Sequence, residues 1–425
     1  MLPDRLISLF GLFFLMFLAW ASSRDRKYVN FRLILTGLLF QCLFALIVFR
    51  APAGVVVFSW LNDAALKVIS FAKEGMYFVF GPLAVSPGET GPMGEASLGF
   101  ILAFQALPSI VFFSSLVSAF YYFNIIPTVI RVFARIFTYL MRISGAESLC
   151  ASSNIFVGVE SAVTIRPYIQ DMTASELCTV LTAGMGTIAS TVLAVYVGFL
   201  HAEFPSIAGH LISASVISAP AAIIMSKLVV PETEIPKTLG ISVEVERDRR
   251  STTWIESIIN GANDGMKLCV GIITLLLAFL GLLSMCNSIL GYIGCKVFGA
   301  SLSLQLVLKY LYFPLTIIMG VPLHDAGHVA TLLGERTIAT ELVSYQHLNQ
   351  LIHDGVLTDA KSITIASYAL CGFAHIASLA IFVGGYSALA PKRAKDLAQL
   401  GFRALYAATL ACLMTGCVAG LFAKS

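Results

Sequence analysis

Residues 152–163 read SSNIFVGVESAV and combine three serines, an asparagine, a glycine and a glutamate within twelve positions. This polar stretch stands in a chain of 425 residues that is 58% hydrophobic and 12% charged, whereas soluble domains usually carry about 25% charged residues. Hydrogen-bonding groups cannot face lipid without partners. The stretch is therefore expected to line protein or a water-filled cavity.

The apolar runs around this stretch predict a membrane protein. Several approach or exceed the roughly 20 residues that cross about 30 Å of hydrocarbon as a helix. No segment is polar enough to form a separate soluble domain, so residues 1–425 are interpreted as one all-α polytopic membrane domain. Eight transmembrane helices are predicted at 6–22, 32–49, 98–122, 176–200, 207–228, 266–290, 362–386 and 403–422.

Two further segments have an amphipathic pattern. Residues 55–75 and 128–144 place polar or basic side chains on one helical face and apolar ones on the other, which is typical of interfacial helices. At the N-terminus, the apolar residues 6–19 also resemble a cleavable signal peptide. The basic residues at 24–32 favour a retained spanning helix, because such clusters stay in the cytoplasm.

Positive charge predicts the orientation of the helices. With the N-terminus outside, the predicted cytoplasmic segments hold 17 Lys and Arg, and the outer segments 1–5, 49–97 and 291–361 hold 8. An excess of basic residues marks the cytoplasmic side. Both chain ends are therefore expected outside the cytoplasm, and the cytoplasmic segments are 23–32, 124–175, 227–253 and 387–403.

Two regions suit neither a spanning helix nor a solvated loop. The first, 147–172, contains the opening stretch, and the second, 301–348, contains Pro322 beside His324 and Asp325. Irregular backbone at membrane depth is tolerated only where protein or water satisfies its polar groups. Both regions are predicted to be re-entrant hairpins, the first entering from the cytoplasm and the second from outside.

Each predicted hairpin precedes a spanning segment with its own small or polar interruption. These are AGMGTIAST at 183–191 and CGFAHIASL at 371–379. The repetition indicates two inverted repeats, the plan of secondary transporters, whose broken helices bind solute and coupling ion. A channel or a receptor is a different class, and the paired repeats favour alternating access over both.

Several motifs closely resemble those of the concentrative nucleoside transporters, and the resemblance covers essentially the whole chain. They include ESLCASSNIFVG at 147–158, PETE at 231–234, IMGVP at 318–322 and LAPKR at 389–393. The resemblance implies a homotrimer in the bacterial inner (plasma) membrane, with a nucleoside site in each protomer and a sodium or proton gradient as the driving force. No organic cofactor and no nucleic-acid partner are expected.

The resemblance also implies an elevator-type division of the chain. A moving unit would comprise approximately 147–228 and 301–425, including both hairpins. It would travel past a scaffold formed by approximately 1–146 and 254–300, which makes the trimer contacts.

The family's sodium site maps onto Asn154, Val157, Thr187 and Ile188. It uses an asparagine side chain and a carbonyl in the first hairpin, with a hydroxyl and carbonyls at the next helix break. Thr187 stands where serine is common in the family. Sodium prefers such oxygen ligands, so the resemblance implies sodium coupling, and a proton remains the alternative.

The family's solute positions are less well preserved. The usual Gly-Gln-Thr/Ser-Glu-Ala-Pro run is Gly-Val-Glu-Ser-Ala-Val at 158–163, and histidines replace two asparagines. Buried polar groups reject ligands that leave them unpaired, so an altered solute preference is expected. The solute-binding positions implied by the resemblance are Val159, Glu160, Ser161, Val192, His324, Asp325, Phe373, His375 and Ser378.

One enzyme hypothesis has a sequence basis. His324 and His328 stand four residues apart in HDAGH, which is similar to the HExxH motif of zinc proteases and leaves an intramembrane zinc hydrolase as the alternative function. A catalytic zinc also needs a third protein ligand, and no further acidic motif stands out. The nine cysteines lie mostly in apolar runs without a CxxC pair, which indicates packing residues.

Overall fold

The protein is all-helical in the computed structural model, which describes residues 2–87, 89–91, 94–158, 161–241, 243, 251–299 and 301–423. Its helices are α1 (Leu2–Ala21), α2 (Phe31–Arg50), α3 (Pro52–Phe80), α4 (Leu102–Gln105), α5 (Pro108–Tyr122), α6 (Ile125–Met141), α7 (Gly145–Asn154), α8 (Ser161–Thr164), α9 (Ala174–Gly186), α10 (Ser190–Leu200), α11 (Ile207–Val229), α12 (Trp254–Phe298), α13 (Leu304–Ile318), α14 (Leu323–Ile338), α15 (Glu341–His353), α16 (Ala360–Leu370), α17 (Ile376–Leu389) and α18 (Ala394–Phe422).

Seven helical stretches within the described residues are long and apolar enough to cross a membrane. The predicted all-α polytopic class is therefore confirmed. Nearly all of α9, α10 and α11 is buried, whereas little of α12 is buried. Apolar side chains such as Leu277 and Tyr292 cover α12, so this helix presents a surface suited to lipid or to another subunit.

Helix α18 is the centre of the packing. It contacts α1, α9, α11, α16 and α17, so both halves of the chain pack on one element. Its buried face consists largely of small residues, including Ala404, Ala408, Ala411 and Gly416. Small side chains let helix backbones approach closely, which is how membrane helices gain packing energy.

Several predicted boundaries differ from the structure. The span predicted at 266–290 is the middle of α12, which runs for 45 residues because no proline interrupts it. In the span predicted at 98–122, the helix starts only at Leu102. It ends at Gln105, and a second helix begins at Pro108. The segment predicted to be interfacial at 55–75 belongs to α3, whose 29 residues are long and apolar enough to span.

Both predicted hairpins contain a helix-turn-helix, with corrected ends. Helix α7 starts with a capping box in which Ser144 and Glu147 each bond the other's backbone N–H. In the second region, α13 and α14 pack against each other, and Gly320 takes a φ of +94° in the turn between them. That hairpin ends at Ile338 instead of 348, because Glu341–His353 forms the separate helix α15.

Two helices are broken where interruptions are predicted. Helix α9 ends at Gly186 before α10, and α16 ends at Leu370 before α17, which divides the span predicted at 362–386. The two breaks touch, because a Cβ on Gly372 would lie 3.1 Å from the carbonyl oxygen of Gly186 and 2.6 Å from Sγ of Cys412. Each half thus contains a hairpin, a broken helix and a long helix in the order predicted for repeats, and the second half has α15 in addition after its hairpin.

Candidate functional site

A cavity opens between α12 and the two broken helices. Its empty volume is about 660 Å³, open mouth included. Its walls are mainly apolar, with a few polar groups from different elements. The lining residues are Gly158, Ala189, Thr191, Val192, Leu268, Ile272, Leu275, Thr340, Glu341, Leu342, Phe373, His375, Ser378, Ile381 and Phe382.

A buried carboxylate is the strongest polar feature of this cavity. Glu341 Oε1 accepts a hydrogen bond of 2.8 Å from the Tyr196 hydroxyl. Glu341 Oε2 lies 2.9 Å from Nε2 of His375, and both side chains are 4% exposed. Because a carboxylate has about four lone-pair sites, Glu341 can still accept hydrogen bonds from a bound solute.

Helix capping orients the imidazole ring of His375. This residue is the N-cap of α17, and its Nδ1 accepts the backbone N–H of Ser378 at 3.1 Å. Nε2 is therefore the ring nitrogen that faces Glu341. The Ser378 hydroxyl donates to the carbonyl groups of Phe373 and His375 at the same break.

The second polar cluster joins the first hairpin to the first helix break. Asn154 is buried, and its Oδ1 accepts a hydrogen bond of 3.0 Å from the Ser161 hydroxyl. The backbone carbonyl of Asn154 accepts a bond of 3.2 Å from the Thr187 hydroxyl. Side-chain and backbone oxygens of both elements therefore lie close together in the buried interior, which suits a cation that prefers oxygen ligands.

Ser215 on α11 extends this cluster and was missed by the sequence reasoning. Its hydroxyl lies 2.9 Å from the carbonyl oxygen of Ile155, to which it donates, and 3.4 Å from that of Ile188. A lone serine in an apolar helix gives no recognisable signal. Val157 is buried in the same turn of the hairpin.

The structure places the sequence-predicted solute residues in different settings. Val192, Phe373, His375 and Ser378 line the cavity, and Ser161 instead faces Asn154. His324 is exposed, and its Nε2 lies 3.5 Å from Oδ2 of the buried Asp325, with neither residue on the cavity wall. Val159 and Glu160 lie outside the described residues.

His375 faces Glu341, and no contact between His375 and Asp325 is found among the described residues. Thr340 and Glu341 line the cavity where His324 and Asp325 were expected. Sequence reasoning missed both residues, because ATELVSYQHL at 339–348 has the pattern of an ordinary helix start.

A buried arginine supports the second helix break. Arg336 is fully buried, and its Nη1 donates to the carbonyl oxygen of Ala369 at 2.6 Å, in the last turn of α16. Positive charge is favourable at a helix C-terminus, where carbonyl groups lack partners. The guanidinium therefore stabilises the end of α16 next to the cavity.

Three family models match the chain in sequence. They are "Na+ dependent nucleoside transporter C-terminus" over residues 210–420, "Na+ dependent nucleoside transporter N-terminus" over 10–83, and "Nucleoside recognition" over 103–203. The chain is 34% identical to "Uncharacterized transporter YutK" of Bacillus subtilis, over 95% of this chain and 96% of that one. The chain belongs to the concentrative nucleoside transporter family.

Other members of this family extend the comparison. "Solute carrier family 28 member 3" of Homo sapiens is 37% identical over 99% of this chain, which spans 60% of the length of that relative. The structure of CNTnw in an inward-facing substrate-bound state is 34% identical, with a TM-score of 0.86 and 99% of both chains covered. An outward-facing variant of CNTnw matches with a TM-score of 0.89 over 99% of both chains.

Family membership also bears on the zinc-hydrolase alternative. His328 is exposed, and the described part of the chain contains no group of three His, Cys, Asp or Glu residues able to hold a metal ion. Because the relatives of this chain are transporters, that alternative has no support. The protein is a multi-pass membrane protein of a transporter family.

Proposed function

We propose that this protein imports nucleosides, or closely related solutes, across the inner membrane in symport with sodium. The observation that carries the proposal is the cavity in which Glu341, His375 and Ser378 converge from two separate elements over apolar walls. A nucleoside presents the matching chemistry, since its ribose hydroxyls can donate to a carboxylate and its planar base can contact Phe373 and Phe382.

The ion site is proposed beside this cavity, at Asn154, Val157, Thr187 and Ile188. Support comes from the contact between Thr187 and the Asn154 carbonyl, and from the burial of all four residues. Gly158, four residues after Asn154, lines the cavity. Ion and solute would therefore share one hairpin, and each would hold it in the geometry that the other needs.

The movement is proposed to be of the elevator type within a homotrimer. The cavity has Leu268, Ile272 and Leu275 of α12 on one side and the two broken helices on the other. This arrangement fits a moving unit of residues 147–228 and 301–425 against a scaffold of 1–146 and 254–300. The family resemblance supports the trimer, and light scattering of the purified protein tests it.

Uptake into proteoliposomes tests the proposed function. Purified protein is offered a panel of labelled nucleosides and nucleobases, with a sodium gradient, a pH gradient or neither. Accumulation of at least one nucleoside under the sodium gradient is the expected result. If correctly assembled protein takes up no member of the panel, the solute assignment is contradicted. If accumulation occurs under the pH gradient alone, the ion assignment is contradicted.

A further inference from the structure

A groove at the start of α2 and the end of α6 is strongly basic. We call it the basic groove, and its lining residues are Asn30, Arg32, Arg135, Thr138, Tyr139, Arg142, Leu239 and Gly240. Three guanidinium groups thus border one space, and no carboxylate occurs among these described lining residues. Like charges repel one another unless an anion joins them.

The three arginines have no ion pair or side-chain hydrogen bond within the described chain. Arg131, one turn before Arg135 on the same helix, differs: its Nε donates to the Pro127 carbonyl and its Nη2 to the Thr128 hydroxyl. Arg32 and Arg135 are exposed to the groove with their donors available. A guanidinium presents a planar set of donors that matches phosphate oxygens.

Backbone geometry places the third arginine in this groove. Arg142 caps the end of α6 with a φ of +50°, a left-handed conformation that glycine or asparagine usually supplies. An arginine held there at a conformational cost indicates a use for its side chain. On its other side Arg142 borders a second cavity that contains Glu147, Glu232 and Glu234, so Arg32 and Arg135 are the cleaner probes of the groove.

The groove lies where lipid headgroups are expected. Its residues come from three separate segments that the charge pattern assigns to the cytoplasmic side, 23–32, 124–175 and 227–253. Helix α6 also exposes apolar side chains, including Val129, Val132 and Tyr139. A helix with basic and exposed apolar side chains is typical of the membrane interface.

We propose that the basic groove binds the phosphate headgroup of an anionic phospholipid of the cytoplasmic leaflet. The acyl chains would extend along the exposed apolar side chains of α6, which a soluble phosphate cannot use. The groove joins α2, α6 and the segment after α11, so a bound lipid would link the proposed scaffold to the segment that follows α11 of the proposed moving unit. This inference is independent of the transported solute.

Native mass spectrometry of the full protein tests this proposal. Phosphatidylglycerol and phosphatidylcholine are added in equal amounts, and the retained lipids are counted for wild type, Arg32→Gln, Arg135→Gln and the double variant. Wild type is expected to retain phosphatidylglycerol in preference, with a loss of about fivefold for each arginine removed. Arg131→Gln is the matched control, which retains the lipid as wild type does.

Three results would overturn the proposal. They are equal retention of both lipids by wild type, equal losses in Arg131→Gln and Arg135→Gln, and full displacement of the lipid by millimolar inorganic phosphate. Thermal unfolding of each variant in detergent shows whether it is folded. Each single variant reports on its own element, so the test holds if the double variant is unstable.

Discussion

Glu341 is the residue on which solute recognition is expected to depend most. It is 3% exposed, and it is held between Tyr196 and His375. A buried carboxylate with two fixed partners offers its remaining lone pairs in defined directions. Those directions would favour a solute with ribose hydroxyl groups. A base without the sugar would leave the remaining lone pairs without hydrogen-bond donors.

Glu341→Gln is predicted to weaken solute binding while sodium binding persists. The substitution replaces charge-assisted hydrogen bonds of about 1.5–3 kcal/mol, so KM for the best nucleoside should rise roughly tenfold to hundredfold. Uptake kinetics in proteoliposomes measure this effect. Asp325→Asn is the matched control, a buried acid off the cavity wall, and a larger KM increase there would assign the role to Asp325 instead.

The contact of His353 with Glu203, which lies outside the spanning segments, is predicted to make the stability of the fold depend on pH. Its Nδ1 lies 2.9 Å from Glu203 Oε1, and this hydrogen bond raises the pKa of His353 above its ordinary value. With the folded-state pKa higher than the unfolded one, the pair's stabilisation is complete below about pH 6.5 and is lost as pH rises through the folded value.

The thermal unfolding temperature of His353→Asn should therefore fall below that of wild type at about pH 6 and converge with it at alkaline pH. His201→Asn, in the turn after α10, is the control. A difference between wild type and His353→Asn that grows with pH would contradict the assignment.

The family resemblance supplied the residues of the proposed ion site, and sequence reasoning did not reach Glu341. Asn154 and Thr187 stand in motifs whose polarity is conspicuous in an apolar chain, and the structure places their groups in contact. Glu341 follows the second hairpin, in which the resemblance assigned the family's carboxylate position to Asp325 instead. Only the fold shows that α15 starts at the cavity, because that placement depends on the α14 end and the packing of α10 against α15.

The helix breaks are the elements that bring the two halves together. Gly186 and Gly372 meet without side chains between them, and Cys412 of α18 closes the contact. Any side chain at Gly372 must displace the backbone of Gly186 or the side chain of Cys412, because both would lie closer to an added Cβ than a normal contact allows. The cavity and the proposed ion site both border these breaks.

Gly372→Ala is predicted to destabilise the protein by about 1–3 kcal/mol, because it overpacks a closely packed site. Gly384→Ala on α17 is the matched control, since an added Cβ there meets nothing within 4 Å. Unfolding temperatures of both variants in detergent measure the difference. Equal unfolding temperatures for the two variants would show that the breaks do not pack as described.

The order of elements could be read from hydropathy and polar interruptions, but their lengths could not. The break at 371–375 was marked by CGFAH, and the structure confirms an interruption there. The full length of α12 was hidden, because its first two turns contain enough polar residues to resemble a loop. Tertiary packing of α12 on α5 extends the helix beyond the span that hydropathy alone defines.

At the scale of the whole molecule, the cavity separates two proposed bodies. If the moving unit travels past α12, a cross-link between them should stop transport. Leu275→Cys with Ile381→Cys places one thiol on α12 and one on α17, both on the cavity wall. The exposed Cys286 and Cys295 are replaced in both pairs, so that the reagent does not react with them.

A bismaleimide reagent is predicted to abolish uptake by this pair. Leu268→Cys with Leu275→Cys, two positions on α12 alone, is the matched control and should keep its uptake. Equal inhibition of both pairs would point to blockage of the cavity, and undiminished uptake by the cross-linked first pair would contradict movement at this boundary.

The central claim is that an ion at Asn154 and Thr187 and a solute at Glu341 and His375 bind interdependently. Calorimetric titration of the best nucleoside at increasing sodium, with constant ionic strength, measures this linkage. We predict that sodium lowers the Kd in wild type and has no such effect in Asn154→Ala. A Kd in wild type that is the same with and without sodium would contradict the account.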